Sequence, residues 1–379
     1  IERVRYMLKS SITITRVAGI PIRIHVSFLI ILPFFSWVIA SNINQIADMA
    51  GIDPAGIGLS PLIIGLILAT MLFISVTFHE LSHSLVARTK GIEINSITLM
   101  LLGGIAQMDD DFQDPKAEAL MAFAGPLFSL VFGGFLLFII RPIITGLNAD
   151  IRLMVYYLGY INIFLAIFNL LPAFPSDGGR ILRSLLALKT SHYKATKIAT
   201  AVGKGFALLM GFYGFLYGQI ILMLIAFFIY IGASQEKETS LMRDVFGSFK
   251  VKDLMTEKVI TVREDITISE LLDKMLNEKH SGYPVVDSEG NLTGCVTLED
   301  IRGISEQNKE LKEVEEIMAC NIISVKPEEE LFEAFKKMSQ AEIGRLMVIE
   351  DGELVGILTR SDIMKAHQLK IIKDKQNNS

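Results

Sequence analysis

Cysteine is nearly absent: Cys295 and Cys320 are the only two in 379 residues. They are not spaced as a metal site, and two thiols make no disulfide framework, so both are expected to be buried, reduced thiols of a cytosolic domain. Excess base is missing as well. With 36 Lys and Arg against 41 Asp and Glu, the net charge of −5 argues against a broad phosphate-binding surface, and nucleic acid is not an expected partner. Behind Arg3, Arg5, Lys9 and Arg16 no short apolar region with a small-residue cleavage site follows, so no removable signal peptide is expected. Long apolar runs are lacking beyond residue 236, where the chain is charged; nearly all of them lie between residues 20 and 233. A chain that is 51% apolar and so unevenly divided reads as a membrane part followed by a soluble part, split near residue 235.

Crossing about 30 Å of hydrocarbon takes about 20 residues of helix. Stretches of that length lie at about 20 to 41, 60 to 87, 118 to 140 and 152 to 174. The run from about 200 to 233 has room for two shorter spans that turn at Gly214, Gly218 and Gln219. The expected fold class is thus a polytopic α-helical membrane protein of about six transmembrane helices with a C-terminal soluble α/β module. Lys and Arg in short loops mark the cytoplasmic side. The loop at 41 to 59 has none, whereas 88 to 116 carries Arg88, Lys90 and Lys116, and 175 to 197 carries Arg180, Arg183, Lys189, Lys194 and Lys197. Arg141 and Arg152 fall on the other side, where helix-end side chains snorkel to the interface. The expectation is a multi-pass protein of the cell membrane whose N-terminus and soluble module are cytoplasmic.

Within the second span stands His79-Glu80-Leu81-Ser82-His83. Four residues of helix put the two imidazoles one turn apart on a common face, where one zinc accepts both, and Glu80 beside that face is placed to take a proton from a metal-bound water. On a soluble helix this pattern arises often by chance. Inside a membrane span each ionisable group costs about 2.5 to 3.5 kcal/mol, so three adjacent ones need a compensating partner, and a metal cation serves both histidines at once. A further candidate ligand ends the fourth span, in Asn169-Leu170-Leu171-Pro172-Ala173-Phe174-Pro175-Ser176-Asp177-Gly178-Gly179-Arg180. Two prolines and two glycines end the helix and let the backbone carry the Asp177 carboxylate inward. Taken alone, such a stretch is a turn more often than a ligand; the charge pattern of the loops puts it on the same membrane side as His83.

These two motifs together resemble the site-2 protease family of intramembrane zinc metalloproteases, over about residues 10 to 235. The resemblance implies one zinc held by His79, His83 and Asp177, Glu80 as general base, and Asn169 as a holder of the scissile carbonyl or its oxyanion. It implies a catalytic core of the second to fourth spans and a transmembrane protein as substrate, within a lipid bilayer. Ser176 departs from the apolar residue usual in that family. Leu102-Gly103-Gly104-Ile105-Ala106 reads either as a glycine turn or as an extended segment in which Gly103 and Gly104 pair with substrate backbone. Ala124-Gly125-Pro126 reads as a small-residue packing site with a proline kink, His25 as a polar anchor in the first span, and Asp109, Asp110 and Asp111 as a solvated acidic run.

After residue 248 the chain repeats itself with a period of about 62 residues. Val251-Lys252-Asp253-Leu254-Met255-Thr256 recurs as Val314-Glu315-Glu316-Ile317-Met318-Ala319, and Gly294-Cys295-Val296-Thr297-Leu298-Glu299-Asp300 as Gly356-Ile357-Leu358-Thr359-Arg360-Ser361-Asp362. Each copy is expected to hold a short strand near Val259 or Ile322, a helix near 268 to 278 or 329 to 339, and a strand pair at 283 to 287 with 293 to 297 or 346 to 350 with 354 to 358, followed by a helix. This resembles a tandem pair of cystathionine-beta-synthase (CBS) domains over about 250 to 368. The resemblance implies an adenine nucleotide, ATP, ADP or AMP, bound through Thr297 with Asp300 and Thr359 with Asp362, and a homodimer through the CBS domains. Plain helix N-caps are the other reading of those pairs. The division of the chain is then a transmembrane metalloprotease domain at 1–235, a linker at 236–248, CBS domains at 249–308 and 309–370, and a tail at 371–379.

Two other classes stay open on sequence alone. A CBS-gated channel or transporter accounts for the architecture but not for metalloprotease spacing of His79, Glu80 and His83; a catalytically dead scaffold leaves the intact Glu80 without a purpose.

Overall fold

The structure, a computed structural model, describes residues 11–100, 103–108 and 114–366. Leu102, the acidic run at 109–111, the N-terminal basic residues Arg3, Arg5 and Lys9, and the 371–379 tail lie outside them. The described chain divides into two units on either side of residues 240 and 241.

The first unit opens with strands β1 (Ser11–Val17) and β2 (Ile20–His25), helix α1 (Phe28–Ser41) and helix α2 (Ile43–Ala50). The first apolar span expected from residue 20 therefore begins at Phe28. Residues 20 to 23 alternate between buried and half-buried positions, the two-residue period of a strand, and His25 lies at the end of β2 rather than in a span. Helix α3 (Pro61–Thr89) starts at Ser60, whose side chain caps Ile63 N–H, with Pro61 in the first turn, the position where a missing N–H costs least. Strands β3 (Ile94–Met100) and β4 (Gly103–Met108) follow, then α4 (Pro115–Gly134), which continues through a π-helical stretch to Ile143. Helices α5 (Ala149–Asn169), α6 (Asp177–Ala187), α7 (His192–Leu216) and α8 (Ile220–Phe246) complete the set.

Among the described residues five helices, namely α3, α4 with its extension, α5, α7 and α8, are long and apolar enough to cross a membrane, and α1 with α2, bent by 61°, makes a sixth if the pair counts as one span. The turn between α7 and α8 falls at 217–219, where Gly218 has a positive φ. Strands β1 to β4 form one sheet in that order, with β2 and β3 parallel. Ile20, Ile22 and Ile97 of this sheet pack on Leu81 of α3, so the sheet is seated against the helix that carries the histidines. Among the described residues β4 pairs only with β3 and leaves its other edge open. Inside the bundle, Asn162 of α5 donates to the Ser75 hydroxyl of α3 at 3.2 Å, the kind of polar tie that apolar surroundings cannot replace.

In the second unit β5 (Val262–Arg263), α9 (Ile268–Glu278), β6 (Gly282–Val286) and β7 (Leu292–Thr297) recur as β8 (Ser324–Val325), α10 (Leu331–Gln340), β9 (Arg345–Glu350) and β10 (Glu353–Thr359). The short first strands lie slightly later than the sequence suggests. A helix follows β10 at 360–366, whereas after β7 residues 298–303 make turns that end at Gly303 with φ +99°. The opening segment of each repeat pairs with the other repeat: Thr256 bridges Ile357, and Cys295 bridges Ala319. Met255 and Met318 fill the space over Gly356 and Gly294 respectively. This exchange ties the two repeats into one folded body.

Candidate metal centre

Helix α3 places His79 and His83 one turn apart, both buried, at 3% and 5% exposure. Each ring is fixed by its Nδ1: that of His79 lies 2.9 Å from the Ser129 hydroxyl, and that of His83 lies 2.7 Å from the Met121 carbonyl. A carbonyl only accepts, so His83 carries its proton on Nδ1 and turns an Nε2 lone pair inward. Both Nε2 atoms stand 3.3 Å from Asp177 Oδ2.

On His83 that contact brings a lone pair against a carboxylate oxygen, two acceptors with nothing of their own to share. A proton or a cation must lie between them, and a single cation satisfies all three side chains. The ligand atoms of His79, His83 and Asp177 lie within 4.8 Å of one another. Zinc with nitrogen and oxygen ligands near 2.1 Å needs tetrahedral edges of about 3.4 Å, so the donor set and its spacing fit zinc.

Asp177 arrives by the route its sequence suggests. Helix α5 ends at Asn169, residues 170–176 turn, and α6 begins at Asp177, whose carboxylate at a helix N-terminus is favoured by the dipole. Gly178 is pressed on the Leu170 and Leu171 carbonyls, which an added Cβ would meet at 2.3 Å. The Ser176 hydroxyl donates to the Leu171 carbonyl at 2.9 Å and also to that of Ala173, so a polar residue here knots the loop ahead of the ligand. Asn169, half-buried, is the last residue of α5.

Two glycines give the site its shape. A Cβ on Gly125 of α4 would lie 2.2 Å from His83 Nε2 and 2.6 Å from His79 Nε2. The Ala124-Gly125-Pro126 stretch is therefore more than a packing site: its glycine keeps open the space into which both ligand atoms point. Ser129 lies one turn further along the same helix. Sequence reading gives Gly125 a packing role alone and passes over Ser129; the available signal is their i, i+4 spacing in a span already set against the histidines. A Cβ on Gly104 of β4 would lie 2.4 Å from Glu80 Cγ, so the open-edged strand touches the side chain next to the ligands. Gly103, in the same strand as Gly104, pairs with Met100 of β3. His25 ends β2 of the same sheet, with Nδ1 bonded to Ser27, and is not among the clustered side chains.

In the second unit Thr297 and Asp300 line a cavity of about 880 Å³ with Arg302, Lys309 and Arg345, within the range of small-ligand sites. Thr297 donates to Asp300 Oδ2 at 2.7 Å, and Thr359 to Asp362 Oδ2 at 2.6 Å. Thr359 and Asp362 do not border that cavity; Asp362 is buried and receives Lys365 at 2.8 Å. The second pair thus caps the helix at 360–366, where the Asp362 N–H donates to Thr359 Oγ1 at 3.3 Å, whereas Thr297 and Asp300 stand in the turns after β7. Cys295 is half-buried and Cys320 exposed, and burial pushes the Cys295 thiol up from its ordinary pKa.

The family model for peptidase family M50 matches residues 67–147 and 139–212, and that for the CBS domain matches 251–306 and 314–368. A zinc metalloprotease of Methanocaldococcus jannaschii is 36% identical over 365 residues, which cover 96% of this chain and 98% of that protein. The solved site-2 protease from Methanocaldococcus jannaschii is 36% identical with a TM-score of 0.42, covering 60% of this chain and 95% of that one. The chain is a membrane zinc metalloprotease that belongs to peptidase family M50, of the site-2 protease type, and it carries a tandem pair of CBS domains.

Proposed function

We propose that the chain hydrolyses peptide bonds in or near transmembrane segments of membrane proteins, with zinc held by His79, His83 and Asp177 and with Glu80 as general base. The observation that carries this reading is the convergence of the three ligand atoms within 4.8 Å among apolar helices, with Glu80 beside them. When bound, zinc polarises a carbonyl and lowers the pKa of a coordinated water to about 7. Glu80 accepts the proton of the attacking water and delivers it to the leaving amine. Asn169, at the end of the helix that leads to Asp177, holds the scissile carbonyl.

A transmembrane helix hides its carbonyls in its own hydrogen bonds, so hydrolysis requires local unwinding. The open edge of β4, including Gly103 and Gly104, supplies backbone partners for an extended substrate segment by strand addition. Because Gly104 abuts Glu80, a segment paired there lies next to the base. Substitution of Gly104 would disturb Glu80 directly, so the discriminating test changes the substrate. Proline placed at successive positions of the cleaved segment should abolish cleavage at alternate positions, where an N–H is needed for pairing; uniform tolerance counts against strand addition. Hydrolysis itself is tested with a detergent-solubilised membrane substrate: Glu80→Gln should retain zinc and lose cleavage, whereas ion flux indifferent to Glu80→Gln would speak for the transporter.

The CBS pair regulates this activity through an adenine nucleotide, on the reading supported by Thr297, Asp300 and the basic lining of their cavity, with Thr359 and Asp362 as the corresponding pair. Basic loops at 88–116 and 175–197 support a cytoplasmic N-terminus and CBS pair, and a homodimer through the CBS pair is part of the same proposal. Calorimetric titration with ATP, ADP and AMP of the parent and of Thr297→Ala tests the nucleotide; no heat with any of them overturns it.

A further inference from the structure

Asp177 is held in place by more than its own helix. Six residues along α6, Arg183 is 9% exposed and lies between two carboxylates. Its Nε donates to Glu118 Oε1 at 3.0 Å and its Nη2 to the same oxygen, while Nη1 donates to Glu236. Glu118, 3% exposed, sits in the first turn of α4, and Glu236 on α8. The guanidinium also covers the Phe174 ring, 5.1 Å from its centroid. Such a cluster of charged side chains is costly in these surroundings, and geometric specificity is the return: a planar guanidinium held by two carboxylates is fixed in direction as well as in distance.

A second contact reaches the same loop by sterics alone. One turn before Glu236, Gly232 of α8 approaches Pro175 so closely that an added Cβ would lie 2.8 Å from Pro175 Cδ. Its neighbour Ala233 is fully buried with Phe174 and Ala199. One face of α8, residues 232, 233 and 236, thus bears on Phe174 and Pro175 just ahead of the zinc ligand, and on Arg183 just after it. Further along α8, Phe246 belongs to the core of the second CBS repeat, so the covalent route from that repeat to the metal site runs through this face.

We propose that Arg183, clamped by Glu118 and Glu236, and Gly232, seated on Pro175, are positioning residues for the metal site: α8 fixes where the Asp177 carboxylate stands. The inference rests on Asp177 being a zinc ligand, and the experiment establishes that first by requiring that the parent bind zinc and Asp177→Ala lose it. Failure at that step removes the metal reading, whereas the α8 variants bear on positioning alone. Zinc release into a chelator and the visible absorption of the cobalt-substituted protein are then compared for the parent, Arg183→Lys, Glu236→Gln, Gly232→Ala and a control, Gly205→Ala, whose added methyl meets no atom within 4 Å.

Gly232→Ala and Arg183→Lys should speed zinc release by about 10- to 100-fold, the usual effect of losing an outer partner of a metal ligand, and should shift the cobalt spectrum. Glu236→Gln, whose amide oxygen still accepts, should fall between these and the parent, and Gly205→Ala should match the parent. If Arg183→Lys does not fold, Gly232→Ala and Glu236→Gln decide, since both leave the buried Glu118–Arg183 pair intact. Parent-like release and spectrum in folded Gly232→Ala and Glu236→Gln would overturn the proposal.

Discussion

His79 sets its Nδ1 2.9 Å from the Ser129 hydroxyl, an atom fifty residues away on the next long helix. This contact, rather than the HExxH spacing, turns the Nε2 of His79 toward Asp177. Ser129→Ala should therefore keep the fold and lower zinc affinity by about 10- to 100-fold, as read by competition with a chelator of known strength. Unchanged affinity would mean that packing alone orients the ring.

Gly125→Ala makes a sharper prediction, because its methyl would lie 2.2 Å from one ligand nitrogen and 2.6 Å from the other. The variant should purify without zinc while its far-ultraviolet circular dichroism matches the parent. An alanine at this position that binds zinc normally would contradict the geometry of the centre.

Glu80→Gln keeps size and hydrogen bonding but removes the base. Zinc content should stay at the parent level while turnover falls by about 10²- to 10⁴-fold, the usual contribution of general acid–base catalysis. Equal loss of zinc and activity would assign Glu80 to metal binding instead.

In the second CBS repeat, burial raises the Asp362 carboxyl, but hydrogen bonds from Lys365 and Thr359 outweigh it and hold the pKa below the ordinary carboxylate value. A depressed folded-state pKa contributes stability that is present above the unfolded value, about 3.9, and is lost as the pH falls through the folded one. Asp362→Asn should thus lower the parent's stability at neutral pH and flatten its loss in acid, followed by denaturant unfolding of the CBS transition between pH 6 and 2. An unchanged acid profile would contradict the account.

The metal cluster was legible because its chemistry is local: His79, Glu80 and His83 are fixed by helix periodicity, and the prolines and glycines around Asp177 announce a turn. The repeats were legible for the same reason, with α9 and the strand pairs at or near the expected positions. The first span was misplaced because residues 20 to 25 are apolar enough for either element, and pairing of Ile22 with Ile97 across the sheet settles the choice in favour of a strand. Gly125, Ser129 and the Arg183 clamp act through contacts between helices distant in sequence; the i, i+4 spacing of Gly125 and Ser129 puts them on one face of a helix, but only the fold says what that face meets. The charges themselves were a signal: Glu118 at the head of an apolar span needs a partner, but only the fold says that it is Arg183.

The central claim is that two motifs nearly a hundred residues apart form one zinc site, and zinc content per chain tests it most directly. The account predicts about one zinc in the purified parent and its loss from both His79→Ala and Asp177→Ala with the fold retained. A folded parent that takes up no zinc when zinc is supplied, or an Asp177→Ala variant that holds zinc as the parent does, would contradict it.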